Sequence, residues 1–222
     1  MTTEMPGRSL IRRAYDASYG RLFAASYDRM LARAERGELG ARRAQVVGDA
    51  SGRTLELGAG TGLNLPHYSD AVTELVLTEP FGPMAEKLRA KLAGSGREAD
   101  VIEAPAENLP FDSNSFDTVV CTLMLCTVED QAASLTEVAR VLRPGGRLLF
   151  FEHVRAETPG LARAQDVLHG PWFAIGHGCH CNRDTVAAIG RSELVLEDVQ
   201  RAEMEGLAPI VKPTVAGAAR LT

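Results

Sequence analysis

Residues 55–66 read LELGAGTGLNLP, and no other stretch constrains the fold of this chain as strongly. An apolar run of strand character, TLEL at 54–57, passes directly into Gly58-Ala59-Gly60-Thr61-Gly62, and a helical pattern follows. Glycines at that spacing let the backbone turn tightly and let a ligand lie against the main chain. A loop of this kind at the carboxyl end of a strand belongs to an open α/β sheet, whose ligands bind in the crevice beyond the strand ends.

The rest of the chain agrees. Short apolar runs, ELVLT (74–78), DVIEA (100–104), FDTVVCTL (116–123) and GRLLFFEHV (146–154), alternate with helical stretches PMAEKLRAKL (83–92) and DQAASLTEVARVL (130–142). Alternation of strand and helix gives a parallel sheet with helices on both faces. LVLEDVQ (194–200) and PIVKPTVAGAA (209–219) add two strands. The expectation is an α/β fold: a doubly wound, seven-stranded, mostly parallel sheet closed by an antiparallel edge. Residues 1–50 form a helical cap, 51–222 the main domain, and 155–190 an insertion covering a second ligand.

The cap is read from residues 9–48, where Tyr15, Tyr19, Phe23 and Tyr27 recur every four residues and share one helical face. Seven arginines between Arg8 and Arg36 face Asp16, Asp28 and Glu35. A basic amphipathic helix can rest weakly on a membrane surface; the competing and preferred reading is a lid whose Tyr19 and Phe23 line the site. No run of 18 apolar residues is present, so no transmembrane segment is expected. A net charge of −5 argues against nucleic acid as a partner. The start MTTEMPGRSL has no apolar signal core, and four cysteines in 222 residues do not make a disulfide scaffold. The expectation is a cytoplasmic protein with free thiols.

Two acids refine the ligand. Glu56 precedes the glycine loop within the strand, where a carboxylate can hold an ammonium group directly or through water. Glu79 ends the next strand, where a carboxylate can accept both ribose hydroxyls. A ligand with a cationic amino-acid end and a nucleoside end is S-adenosyl-L-methionine rather than NAD, although an NAD fold with incidental acids is the alternative.

ELGAGTG, the acid of TEP, AENLPFDSNSFDTVVC and EVARVLRPGGRLLFFEH together resemble the class I S-adenosylmethionine-dependent methyltransferases, over residues 53–154. The resemblance implies a Rossmann-like fold and a cofactor site of Glu56, Gly58, Ala59, Gly60, Gly62, Glu79, Pro80, Thr122 and Leu123. Many relatives carry an Asp for the adenine amino group where this chain has Pro105, so the backbone of Ala106 and the side chain of Glu107 are expected there instead. CTLMLCTVEDQAASLTEVARVLRPGGRLLFFEHV is further similar to the methyltransferase-like protein 7 family, whose animal members are alkyl thiol S-methyltransferases. That likeness continues through Trp172, Gly178, Cys179, Arg183, Lys212-Pro213 and Gly217. The animal proteins carry an N-terminal anchor and tend to have His and Tyr where this chain has Thr214, Ala216 and Ala218. The implied partner is a small apolar acceptor, a thiol by preference, with a phenol, quinone or amine as the alternative.

Methyl transfer from a sulfonium is an in-line displacement, and the enzyme mainly has to align the two reactants. A thiol is a few per cent ionised at neutral pH, so a nearby base or positive charge helps. His153, at the carboxyl end of the fifth strand, is the first candidate, followed by His177, Cys179 and His180. Cys126, Trp172, Phe173 and His180 are expected to line the acceptor pocket. His67 and His169 are read as structural or surface positions.

The run GHGCHCNRD (176–184) invites a metal or redox reading. Zinc sites pair CxxC-type clusters well separated in sequence, whereas this run has CxC and no second cluster. Strand-like alternation would place His177, Cys179 and Cys181 on one side and His180 on the other. No metal site is expected, although a zinc-binding or thiol-sensing module is a reading of another class. Asn182 is expected to cap a helix running from Arg183 to Ile189.

Overall fold

The computed structural model describes residues 16–222, with side chains from Ser18 onward. Tyr15, Arg8, Arg12, Arg13 and the first residues of the expected cap helix lie outside the described part. Two helices, α1 (Arg21–Glu35) and α2 (Glu38–Gly48), follow a single helical turn at Asp16–Gly20. The main unit then runs β1 (Gly52–Leu57), β2 (Val72–Thr78), α3 (Gly82–Ala93), β3 (Asp100–Ile102), β4 (Phe116–Thr122), α4 (Gln131–Val141), β5 (Leu142–His153), α5 (Pro159–Ile175), α6 (Thr185–Gly190), β6 (Leu194–Glu203) and β7 (Pro213–Leu221).

The strands form one sheet in the order β3-β2-β1-β4-β5-β7-β6. Five are parallel, and β7 inserts antiparallel between β5 and β6. This is the seven-stranded sheet read from the sequence. The expected last strand begins later, at Pro213, because Pro209–Val211 forms a helical turn instead. At Gly217 a Cβ would come within 2.0 Å of the Asp198 carbonyl oxygen, beside the bulge of β6, so only glycine fits there.

Alternation along the strands builds two cores. Leu55 and Leu57, Val119 and Cys121, Leu148 and Phe150 face α4 and α6, where Leu135, Val138 and Ile189 complete the layer. Val120, Leu149, Phe151, Ala216 and Ala218 face the other way, against Leu39, Val46 and Val47 of α2. The small residues at 216 and 218 leave room for α2 to lie on the sheet. Burial on both faces is why the central strands read as continuous apolar runs.

Local signals set the helix starts. The Asp130 carboxylate accepts the N–H groups of Ala132 and Ala133, at 2.9 and 3.0 Å, opening α4. Asp184, not Asn182, opens α6 by accepting the Ala187 N–H at 3.0 Å. Asn182 instead donates to Asp166 of α5 at 3.0 Å, so the expected cap is corrected by two positions.

Candidate active site

The glycine loop follows β1 with Gly58, Gly60 and Gly62 all at positive φ (62°, 58° and 80°). The Gly60 N–H donates to Glu79 at 2.8 Å, and the Phe81 N–H donates to the other Glu79 oxygen at 2.9 Å. Glu79 is thus fixed at the end of β2, beside the loop, with Pro80 between it and Phe81. A carboxylate can accept several hydrogen bonds at once, so an anchored Glu79 is a ready acceptor for ribose hydroxyls. A Cβ on Gly60 would meet nothing closer than the Gly58 carbonyl oxygen at 4.0 Å. The loop therefore presents open backbone, and its residues fit the nucleoside and amino-acid ends of S-adenosylmethionine.

Glu56 is buried, and strand alternation aims it at the α2 side of the sheet. Its oxygens accept the Tyr68 hydroxyl at 2.7 Å and the Asn64 amide N–H at 2.8 Å. Burial raises its pKa to about 7, against the lowering pull of Tyr68 and Arg43. Asn64 also donates to Thr122 at 2.9 Å and accepts from Arg43 at 2.7 Å. Arg43, on α2, closes the network with a bidentate pair to Glu35 at 2.7 and 3.1 Å. Burial alone would lower the Arg43 pKa, but Glu35 holds it above its ordinary value. Arg43, Asn64 and Tyr68 were not foreseen. The legible signal was an arginine among the apolar residues of an amphipathic helix.

The cap lies over this floor. Asp28 of α1 accepts the Thr61 hydroxyl from the glycine loop and pairs with Lys91 of α3 at 3.3 Å. The Tyr19 hydroxyl donates to the Ile175 carbonyl at 2.7 Å, joining the cap to the end of α5. Phe23 stacks on His177 with centroids 5.0 Å apart, and Phe81 approaches the same imidazole at 4.8 Å. His177 is therefore an aromatic contact between α1, the bend after α5 and the residue following Pro80. Burial pushes the Tyr27 phenol well above its ordinary pKa, against the lowering influence of Arg43.

Loop 123–129 after β4 is the second wall. Leu123 adopts φ 55° and donates its N–H to the Phe151 carbonyl at 2.6 Å. Glu152, fully buried on β5, accepts the N–H groups of Met124, Leu125 and Cys126 at 3.0, 2.8 and 3.0 Å. Burial raises its pKa to about 7 despite these donors. Arg183 grips the carbonyls of the same loop, donating to Leu125 at 3.0 Å and Val128 at 2.7 Å. Glu152 was passed over beside His153, although its place in RLLFFEH puts it on the same inward face as Leu148 and Phe150. The cofactor expectation for Glu107 is redirected: its carboxylate accepts the Glu129 and Asp130 N–H groups at 2.9 and 3.2 Å. Ala106 is buried in the core beside it.

His153 lies at the end of β5, facing the α2 side. Burial lowers its pKa to about 4, so its imidazole is neutral, and its Nδ1 is buried without a partner. Cys126, Cys179 and Cys181 pack with Ile210, Val211 and Trp172. The buried Trp172 Nε1–H also has no hydrogen-bond partner. Phe173, one position along α5, faces away and packs on His169 and His180, with His180 4.9 Å from its ring. The expected alternation of 177–181 is corrected, because the segment is a bend with positive φ at His177 and Gly178 and contains no strand. His180 pairs with His169 at 2.8 Å, which takes both His180 and Phe173 away from the cysteine cluster. Cys121 is a core residue of β4 itself. Gln165 of α5, buried, fixes the insertion by donating to the carbonyls of Val154, Cys181 and Ile210 at 3.0, 2.8 and 3.0 Å.

Two surface hollows lie elsewhere, at the amino ends of β2 and β3, opposite the end at which such sheets bind ligands. No helix among the described residues is long and apolar enough to cross a membrane.

Residues 55–150 match the family described as a methyltransferase domain. The thiol S-methyltransferase TMT1B of Rattus norvegicus is 36% identical over 178 residues, 78% of this chain and 71% of that one. The demethylmenaquinone methyltransferase of Clavibacter sepedonicus is 35% identical over 124 residues, 56% of this chain and 49% of that one. Among solved structures, a SAM-dependent methyltransferase of Thermotoga maritima superposes with a TM-score of 0.67 at 22% identity, covering 91% of this chain and 97% of that one. These likenesses, the sheet order and the Gly60–Glu79 contact place the chain in the class I S-adenosylmethionine-dependent methyltransferases, within the methyltransferase-like protein 7 family.

Proposed function

We propose that the protein transfers the methyl group of S-adenosylmethionine to the sulfur of a small apolar thiol. When bound, that cofactor supplies an electrophilic methyl on a positively charged sulfur. Gly58, Gly60 and Glu79 would hold its nucleoside side, and the polar group of Glu56, Asn64 and Thr122 its amino-acid end. Loop 123–126, braced by Glu152, would wall that end.

The observation that carries the acceptor choice is the apolar, arginine-flanked cluster of Cys126 and Cys179, and the state of His153 agrees with it. An imidazole with a pKa near 4 is a poor base for a phenol of pKa about 10, since each unit of mismatch costs about 1.4 kcal/mol. A thiol needs no such base, because its thiolate fraction at neutral pH is a few per cent and can be selected directly. The Arg183 guanidinium lies close enough to act on both Cys126 and Cys179 and favours an anion in that neighbourhood. Ile210, Val211 and Trp172 make the surroundings apolar. The similarity to a thiol S-methyltransferase supports the same reading.

Carbon methylation of a quinol is the second reading, supported by the likeness to a demethylmenaquinone methyltransferase. Labelled donor offered with alkyl thiols, phenols and naphthoquinols separates the two. Label should appear on the thiols; label on quinols alone would remove the thiol assignment.

A further inference from the structure

Cys126 and Cys179 stand 53 residues apart in sequence, yet their sulfurs lie 3.9 Å apart. Both are buried, at 1% and 6% exposure. Cys126 sits on the loop that Glu152 and Arg183 hold rigid. Cys179 follows Gly176-His177-Gly178, where φ is 51° at His177 and 97° at Gly178. A disulfide requires the sulfurs at about 2.0 Å, and the bend on the Cys179 side can supply that approach while the Cys126 side stays fixed. Cys181 points elsewhere, with its sulfur 4.0 Å from the Gln165 carbonyl oxygen.

We propose that Cys126 and Cys179 are a redox-active dithiol, closed to a disulfide by the disulfide form of a small apolar thiol, and that closure stops methyl transfer. The inference rests on the acceptor reading above, in which a small apolar thiol, and with it its disulfide, reaches this cluster. Cys179 is the attacking member. The sulfur–sulfur contact with Cys126 is the chief influence holding Cys179 below its ordinary pKa, and Trp172 adds to it. The same contact, with burial, raises Cys126 well above its own.

The exchange balances without any other reactant. The Cys179 thiolate displaces one half of RS–SR, forming a Cys179–S–S–R bond and releasing RS⁻. Cys126 gives its proton to that RS⁻ and displaces the second RS⁻, which takes a proton from water. Two protein thiols are oxidised by two electrons, and one disulfide is reduced to two thiols. The new bond staples the insertion to the loop after β4 and so fixes Cys179 against a loop that Glu152 and Arg183 already hold.

The test uses the full chain, reduced and then exposed to diethyl disulfide. Peptide mapping under non-reducing conditions should find a Cys126–Cys179 link, and reactive thiols should fall from the four free cysteines by two. Transfer to ethanethiol should drop at least about tenfold in step with the link and return with dithiothreitol. Cys181→Ser should form the same link, whereas Cys126→Ser should collect only an ethyl adduct on Cys179. Ethyl adducts without a link, a Cys179–Cys181 link, or a linked protein that transfers methyl at the reduced rate each overturns the proposal. If the reduced protein methylates no thiol, the acceptor reading fails on that result alone. The link map then still judges the dithiol, and its gating is read on whichever acceptor is active.

Discussion

An Arg43 guanidinium N–H lies 2.7 Å from the Asn64 side-chain oxygen, and that contact joins the N-terminal helices to the segment that follows the glycine loop. Asn64 passes the link to Glu56 and Thr122, and Arg43 passes it back to Glu35. The cap and the cofactor loop therefore share one buried hydrogen-bonded unit.

Arg43→Met should destabilise the fold by about 3 kcal/mol, since removing one partner of a buried pair strands the other. Urea denaturation measures this directly. The double variant Arg43→Met with Glu35→Gln should recover part of the loss, because no charge is then left alone. Additive losses would show that the pair is not coupled.

Gly60→Ala separates folding from binding. The site for its Cβ is open, so only the left-handed backbone at φ 58° should be penalised, by about 1 kcal/mol. S-adenosylhomocysteine affinity should fall at least about thirtyfold by calorimetry, because the methyl would occupy the space against which the cofactor lies. Gly58→Ala should instead lower the melting temperature strongly, since its Cβ would sit 2.8 Å from Met124 Cβ.

Glu56 and Glu152 each have a folded pKa of about 7, raised by burial above an unfolded value of about 4.5. Their neutral forms stabilise the fold below about pH 4.5, and that contribution is lost as pH rises towards 7. At 1.36 kcal/mol per unit the loss is on the order of 3 kcal/mol for each. Relative to either Glu→Gln variant, the wild-type protein should lose stability between pH 4.5 and 7 and no further above it. Chemical denaturation at pH 5, 6, 7 and 8 gives the curve.

The rate of thiol methylation should rise with pH along the acceptor's own ionisation. Two thiols whose pKa values differ by about two units should give kcat/KM profiles displaced by the same amount. A common inflection for both would indicate an enzyme base, contrary to a His153 that stays neutral above about pH 4.

The α/β class, the two-sided apolar strands and the glycine loop were legible because they depend on local pattern: glycine spacing and the alternation of strand and helix. Glu79 was readable from its place at the end of β2, although one of its partners, the Gly60 N–H, belongs to the loop after β1. The network around Arg43 was not, because its members come from α2, the segment after the glycine loop, and β4, and only folding brings them together. The run GHGCHCNRD shows the same limit. Its composition suggested that its own histidines and cysteines act together. In the fold, His177 joins Phe23 and Phe81, His180 joins His169, and Cys179 joins Cys126 on another loop. Sequence alone determined the strand and helix pattern and the glycine loop, whose signals are local or periodic. The tertiary structure decided which buried polar and sulfur groups meet, because burial satisfies such groups through partners distant in the chain.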